Sequence, residues 1–201
     1  MASLYDLKPR FQALLRPLAR RLLAAGVTPN AVTLAALVLS VAMGAALAVW
    51  PASAWALAAV PAVLLVRMAL NALDGMMARE GGQESKFGLA LNEVGDILAD
   101  GALYFPFALA LGAHPLIAGG FVLLAAASEA AGLCGITTGA DRRYDGPFGK
   151  SDRAAVIGAL AIVAAAGIPI AAWIGWAFAA LCALTALTIV NRMRKVARGA
   201  P

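Results

Sequence analysis

Two short stretches carry most of the side chains able to do chemistry: NALDGMMAR supplies Asn71, Asp74, Gly75 and Arg79, and GLALNEVGD supplies Gly88, Asn92 and Asp96. Steps of three and four residues place each set along one face of a helix. With no cation expected at their own level, the natural partner of Asp74 and Asp96 is a hard divalent ion, which takes carboxylate, amide-carbonyl and water oxygens. Asn71 and Asn92 offer amide carbonyls on the same two faces. A cation held there would in turn bind phosphate groups, with the Arg79 guanidinium as a second, forked contact. Gly75 and Gly88 keep side chains away where a bulky ligand presses on backbone.

The elements that position these residues are apolar. In 201 residues, 62% are hydrophobic and 13% charged, with a mean hydropathy of +0.83. That composition lies outside the soluble globular range and implies a polytopic membrane protein. Apolar segments at 30–50, 53–79, 87–112, 115–137, 153–168 and 170–191 approach the roughly 20 residues a spanning helix needs. The fold expected is therefore an all-α integral membrane protein with six transmembrane helices, the fifth of them short.

The basic residues give an orientation. Lys8, Arg10, Arg16, Arg20 and Arg21 precede the first apolar segment; Arg79 and Lys86 lie between the second and third; Arg142, Arg143, Lys150 and Arg153 between the fourth and fifth; and Arg192, Arg194, Lys195 and Arg198 follow the last. The opposite connections, PASA, GAHP and GIP, hold none. By the positive-inside rule both termini are cytoplasmic. The net charge of +5 then follows from this asymmetry and from anionic headgroups, and calls for no nucleic acid.

Residues 1–27 lack the pattern of a cleavable signal. Leu4, Phe11, Leu14, Leu15, Leu18, Leu22 and Leu23 share a broad face opposite basic residues, which predicts an amphipathic interfacial helix, bent or segmented at Pro9 and Pro17. Residues 28–201 form the six-helix bundle, so 1–201 is expected to be a single membrane domain. Cys134 and Cys182 sit alone inside helices, and His114 lies in the outer GAHP turn, so a thiolate–metal site has no support.

Helices two and three, joined by a short connection, run antiparallel and can oppose their polar faces across one cavity. Asp74 and Asp96 converge near the cytoplasmic boundary. Deeper in, Arg67, Asp100 and Glu129 fall at similar depth, where an unpaired charge is costly. They are expected to form a buried structural ion network, with Arg67 neutralised by Asp100, Glu129 or both.

The pattern resembles the signature of the CDP-alcohol phosphotransferases (CDP-alcohol phosphatidyltransferases), membrane enzymes of phospholipid synthesis: D-x-x-D-G-x-x-A-R, a spacer, then G-x-x-x-D-x-x-x-D. Asp74, Gly75, Ala78, Arg79, Gly88 and Asp96 match it at the same spacing, while Asn71 and Asn92 stand where the first and third aspartates fall, as in a bacterial subgroup bearing NxxDG and LNExGD. TPNAVT at 28–33 and GPFGKSDRA at 146–154 resemble flanking elements of that family.

The resemblance implies transfer of a phosphatidyl or related phospho-alcohol group from CDP-diacylglycerol or another CDP-lipid to an acceptor alcohol, releasing CMP. It implies Mg²⁺ or Mn²⁺, one or two ions, held by Asp74, Asp96, Asn71 and Asn92, with Asp96 also the general base. The nucleotide would lie along Asp74, Gly75, Ala78, Arg79 and Gly88, and the acceptor near Lys150 and Arg153, which points to an anionic acceptor; Arg142 and Arg143 are read as topology charges alone. Relatives form homodimers, and the site would face the cytoplasm of the bacterial inner membrane. Two other readings stand beside this one: a catalytically impaired member acting in assembly, and a small-solute transporter.

Overall fold

The computed structural model describes residues 8–51, 53–139 and 142–198. Among the described residues seven α-helices follow one another: α1 Lys8–Ala24, α2 Pro29–Val49, α3 Ala54–Glu80, α4 Lys86–Ala110, α5 Pro115–Thr137, α6 Lys150–Ala165 and α7 Ile174–Ala197. Four of them, α2, α3, α5 and α7, are long and apolar enough to cross a membrane. The two remaining expected spans differ for separate reasons. Helix α4 carries Glu93, Asp96 and Asp100 within its length, and α6 has only 16 residues.

Local chemistry sets the helix starts. Thr28 caps α2, its hydroxyl accepting from the Ala31 amide at 3.2 Å, with Pro29 in the first turn. Ser85 caps α4 in the same way through the Gly88 amide, at 2.9 Å. His114 caps α5, its Nδ1 accepting from the Leu116 amide at 3.3 Å, so the lone histidine has a local structural task. Asp152 reaches back to the Gly149 amide at 2.9 Å and closes the first turn of α6.

Helix α1 passes through Pro17 as one element, so of the expected bending or segmenting the segmentation does not occur there. The missing amide hydrogen bond is offset by packing, because Leu15, Ala19, Leu22 and Leu23 lie against Leu73, Met76 and Met77 at the end of α3. Arg16 adds an ion pair to Glu80 at 2.9 Å. Leu14 and Leu18 stay exposed on the other side, as an interfacial helix requires. Leu4, expected on the same face, lies outside the described residues.

Helix α2 packs on both α3 and α4, α5 on α4 and α7, and α6 on α3. The α2–α4 contact is a backbone approach: a Cβ at Gly44 would lie 1.9 Å from the Ala102 carbonyl oxygen, so only glycine fits. At one end of the bundle the core is aromatic and aliphatic, with Phe121 edge-on to Phe178 at 5.4 Å and Tyr104 6.0 Å from Phe121. Toward the opposite end, where α3, α5 and α7 finish and α4 and α6 begin, the interior turns polar and charged. Helix α7 runs on to Ala197 rather than stopping at 191, since the buried Arg192 anchors that last turn.

Candidate functional site

At the polar end α3 and α4 face each other through side chains. Asn71 Nδ2 on α3 donates to Asp96 Oδ1 on α4 at 2.7 Å, and Asn92 Nδ2 on α4 donates to Asp74 Oδ2 on α3 at 3.0 Å. Each helix thus gives one amide and one carboxylate to a crossed clasp. Asp74 is also held by the Thr33 hydroxyl of α2 at 2.8 Å and by the Gly75 amide at 2.6 Å. This makes Thr33, the last residue of TPNAVT, part of the site.

The clasp opens onto a cavity of about 600 Å³ whose lining includes Asn71, Asp74, Gly75, Ala78, Arg79 and Asn92. Arg79 folds back over Gly75: a Cβ there would stand 3.4 Å from a guanidinium nitrogen. A Cβ on Gly88 would meet Asn30 Oδ1 at 2.9 Å, so the Asn30 side chain would have to shift to admit one. Asn30, from the same TPNAVT element, and Lys86 also line this end.

Asp96 is placed differently from its expected surroundings. It stands behind Asn71 and is not among the residues lining the cavity. Nor does it lack cations. Lys150 Nζ pairs with Asp96 Oδ2, and Arg67 Nη2 lies 3.7 Å from Oδ1 while donating to the Asp96 carbonyl at 3.2 Å. Of the pair expected to have no cation at its own level, only Asp74 lacks an ion-pair partner among the described residues.

Deeper in, Arg67 pairs with Asp100 at 2.6 Å, both almost wholly buried, as the sequence predicts. Glu129 goes elsewhere. Its Oε1 accepts from Arg153 at 2.5 Å and its Oε2 from Arg142 at 2.9 Å, with Arg192 4.0 Å away. Arg153 also donates to Ser128 Oγ at 2.9 Å and approaches Asp100 at 3.5 Å.

Two expectations change as a result. Arg153 is 0% exposed and spends its guanidinium inside this network, so it does not present itself to an acceptor; Lys150 contacts Asp96 instead. Arg142, read from sequence as a topology charge, pairs with Glu93 as well as Glu129 and lines the cavity beside Tyr144. Burial opposes its charge, but Glu93, with Tyr144 and Glu129 behind it, more than offsets this and holds the guanidinium above the usual arginine range. Arg143 is buried, with Nε and Nη2 unpartnered. No spacing rule links Arg142 to α4 and α5; only Glu93, adjoining Asn92 in LNEVGD, hinted at a counter-ion.

Among the described residues no three His, Cys, Asp or Glu side chains gather as a metal cage. The clasp nevertheless offers an oxygen donor set. Two carboxylates balance one divalent ion, and a half-turn of either carboxamide exchanges its NH₂ for its oxygen.

Residues 26–190 match the protein-family profile described as CDP-alcohol phosphatidyltransferase. The chain is 40% identical to the inner membrane protein YnbA of Escherichia coli over 196 residues, 96% of each chain. It is 36% identical over 107 residues to the phosphatidylinositol phosphate synthase of Mycolicibacterium smegmatis, covering 52% of this chain and 46% of that one. The fold is that of the Mycobacterium tuberculosis phosphatidylinositol phosphate synthase, solved in complex with manganese and citrate. That structure gives a TM-score of 0.74 at 24% identity over 90% of this chain and 87% of the other. The same enzyme with CDP-DAG bound superposes equally, also at 0.74, over 90% and 92%. A profile match through α2 to α7 and near end-to-end similarity to a relative agree with the clasp geometry: this chain belongs to the CDP-alcohol phosphatidyltransferase family.

Proposed function

We propose that this chain transfers a phosphatidyl or related phospho-alcohol group from CDP-diacylglycerol, or a similar CDP-lipid, to an acceptor alcohol, releasing CMP. The observation that carries the reading is the crossed Asn–Asp clasp at the wall of the cavity that Arg79 overhangs. Of the related structures, one holds CDP-DAG and another manganese and citrate, ligands that suit this donor set.

In the proposed reaction the acceptor oxygen bonds to the lipid-bearing phosphorus, the phosphoanhydride bond to CMP breaks, and Asp96 takes the hydroxyl proton. Asp74, Asp96 and the amide oxygens of Asn71 and Asn92 would hold Mg²⁺ or Mn²⁺, which neutralises charge on the pyrophosphate. Arg79 orients the diphosphate, and Gly75, Ala78 and Gly88 leave room for the nucleotide. Thr33 fixes the Asp74 carboxylate, while Lys150 positions Asp96. Two carboxylates, one of them already paired with Lys150, leave no charge for a second divalent ion, so we favour one resident cation.

Residues 1–201 would act as one domain with six spans, α4 and α6 completing the set, both termini and the cavity facing the cytoplasm, and two copies forming a homodimer. The exposed apolar belt, including Val38, Leu65, Leu98, Leu123 and Ile162, and Trp50 against Trp55 at 5.5 Å beyond the far end, suit such a placement. A non-catalytic assembly role is the second reading, favoured by Lys150 sitting on Asp96. Reconstituted protein given CDP-diacylglycerol, Mg²⁺ and a pool of alcohols separates the two: CMP release lost in Asp96→Asn supports transfer, and none from any alcohol supports the assembly role.

A further inference from the structure

The cavity has two unlike ends. At one, Arg79 and Lys86 line the wall near Gly75 and Gly88, where the nucleotide diphosphate is placed. At the other stand Glu93, Arg142 and Tyr144, beyond Asn92. An acceptor must approach the lipid phosphorus from the side the departing CMP does not fill, which is this second end.

Basic residues are plentiful there, and most have their charge paired, while Arg142 Nε and Arg153 Nε carry no hydrogen bond. Arg142 is divided between Glu93 and Glu129, Arg153 among Glu129, Ser128 and Asp100, and Lys150 is on Asp96. Arg192 donates to the carbonyls of Ser128 and Asp145 and lies 4.0 Å from Glu129. Lys195 is held by Asp145 at 2.5 Å. Arg143, with two unpartnered nitrogens, is not among the cavity's lining residues. Glu129, behind the cavity wall, occupies the point on which three guanidiniums converge. Glu93 Oε2 has no hydrogen-bond partner, so the spare capacity of this carboxylate is an acceptor. A phosphate arriving here would meet the Glu93 carboxylate on Arg142 and would have to displace it; a hydroxyl would meet a group it can donate to.

Resting on the transferase reading, we propose that the acceptor alcohol carries no phosphate: it is an uncharged polyol or simple alcohol, and Glu93, which pairs with Arg142 at the cavity wall, is the residue that rejects its phosphorylated counterpart. The basic residue that lines this end, Arg142, is paired with Glu93 and Glu129 in the folded chain.

The test uses full-length protein in detergent, saturated with CDP-diacylglycerol so that the diphosphate end is filled. Inorganic phosphate is then titrated against thermal unfolding, and CMP release is compared for glycerol with glycerol 3-phosphate and for inositol with inositol 1-phosphate. No shift with inorganic phosphate, and at least tenfold faster release with the unphosphorylated member of a pair, is the expected result. Glu93→Gln, which frees one side of Arg142, is expected to narrow that preference at least tenfold. Stabilisation of the wild-type protein by inorganic phosphate, or faster turnover of a phosphorylated acceptor, would overturn the assignment. If no alcohol yields CMP, the transferase reading fails by itself, and the phosphate titration still decides whether this wall admits a phosphate.

Discussion

Asn71 on α3 donates to Asp96 on α4 at 2.7 Å, and the mirror pair, Asn92 to Asp74, closes at 3.0 Å. Carboxamides therefore do, without charge, the bridging between helices that further carboxylates would leave to a metal. The expected Mn²⁺ stoichiometry is one ion per chain. Asn71→Asp with Asn92→Asp should add a second or tighten the first at least tenfold, read as bound Mn²⁺ by electron paramagnetic resonance. Two equally tight ions in the wild-type protein would refute the single-ion site.

Lys150 pairs with Asp96 Oδ2 and so competes with any cation for that carboxylate. Lys150→Ala is expected to bind Mn²⁺ about tenfold more tightly while lowering kcat, because Asp96 loses the group that positions it. A variant that changes only the acceptor KM would instead make Lys150 an acceptor contact.

Thr33 reaches Asp74 from a third helix at 2.8 Å. Thr33→Val keeps the shape and removes the hydrogen bond, and loss of such a supporting contact typically costs about 10-fold or more in metal affinity or activity. The expected signature is weaker Mn²⁺ binding with near-normal thermal unfolding, whereas a large drop in the unfolding temperature would make Thr33 a packing residue.

Arg67 and Asp100 are buried together at 2.6 Å. Removing one partner strands the other, a change worth about 3 to 5 kcal/mol for buried pairs. Asp100→Asn should therefore lower the unfolding temperature sharply, and Arg67→Met added to it should recover part of the loss. Additive damage from the two substitutions would show that they are not partners.

Much of this was legible in the chain because helical periodicity is local. The spacing of Asn71, Asp74 and Arg79 on one segment and of Gly88, Asn92 and Asp96 on the next was enough to set two polar faces against each other, and helix limits followed apolar runs to within a few residues. Contacts set by tertiary position were not. Lys150 meets Asp96, and Arg142 meets Glu93 and Glu129, only because the 142–149 connection folds back over the bundle, pinned by the Phe148 amide donating to Thr188 Oγ1 at 3.0 Å. Periodicity also could not tell that α2 packs against both α3 and α4, so TPNAVT marks Thr33 by its motif and not by its hydroxyl. Pro17 misled for a related reason: the packing that keeps α1 continuous lies on another helix.

The ion network joins residues from five successive helices, α3 through α7. In the proposed six-span placement these segments would reach the bilayer one after another, so Arg67 or Glu129 would be placed in an apolar medium before its counter-charge has been made. Biogenesis would then be collective, with early segments held in a shielded or shallow position until α6 and α7 arrive. A chain truncated after α5 would strand Glu129 without Arg153 or Arg192, leaving quality-control proteases a half-inserted substrate.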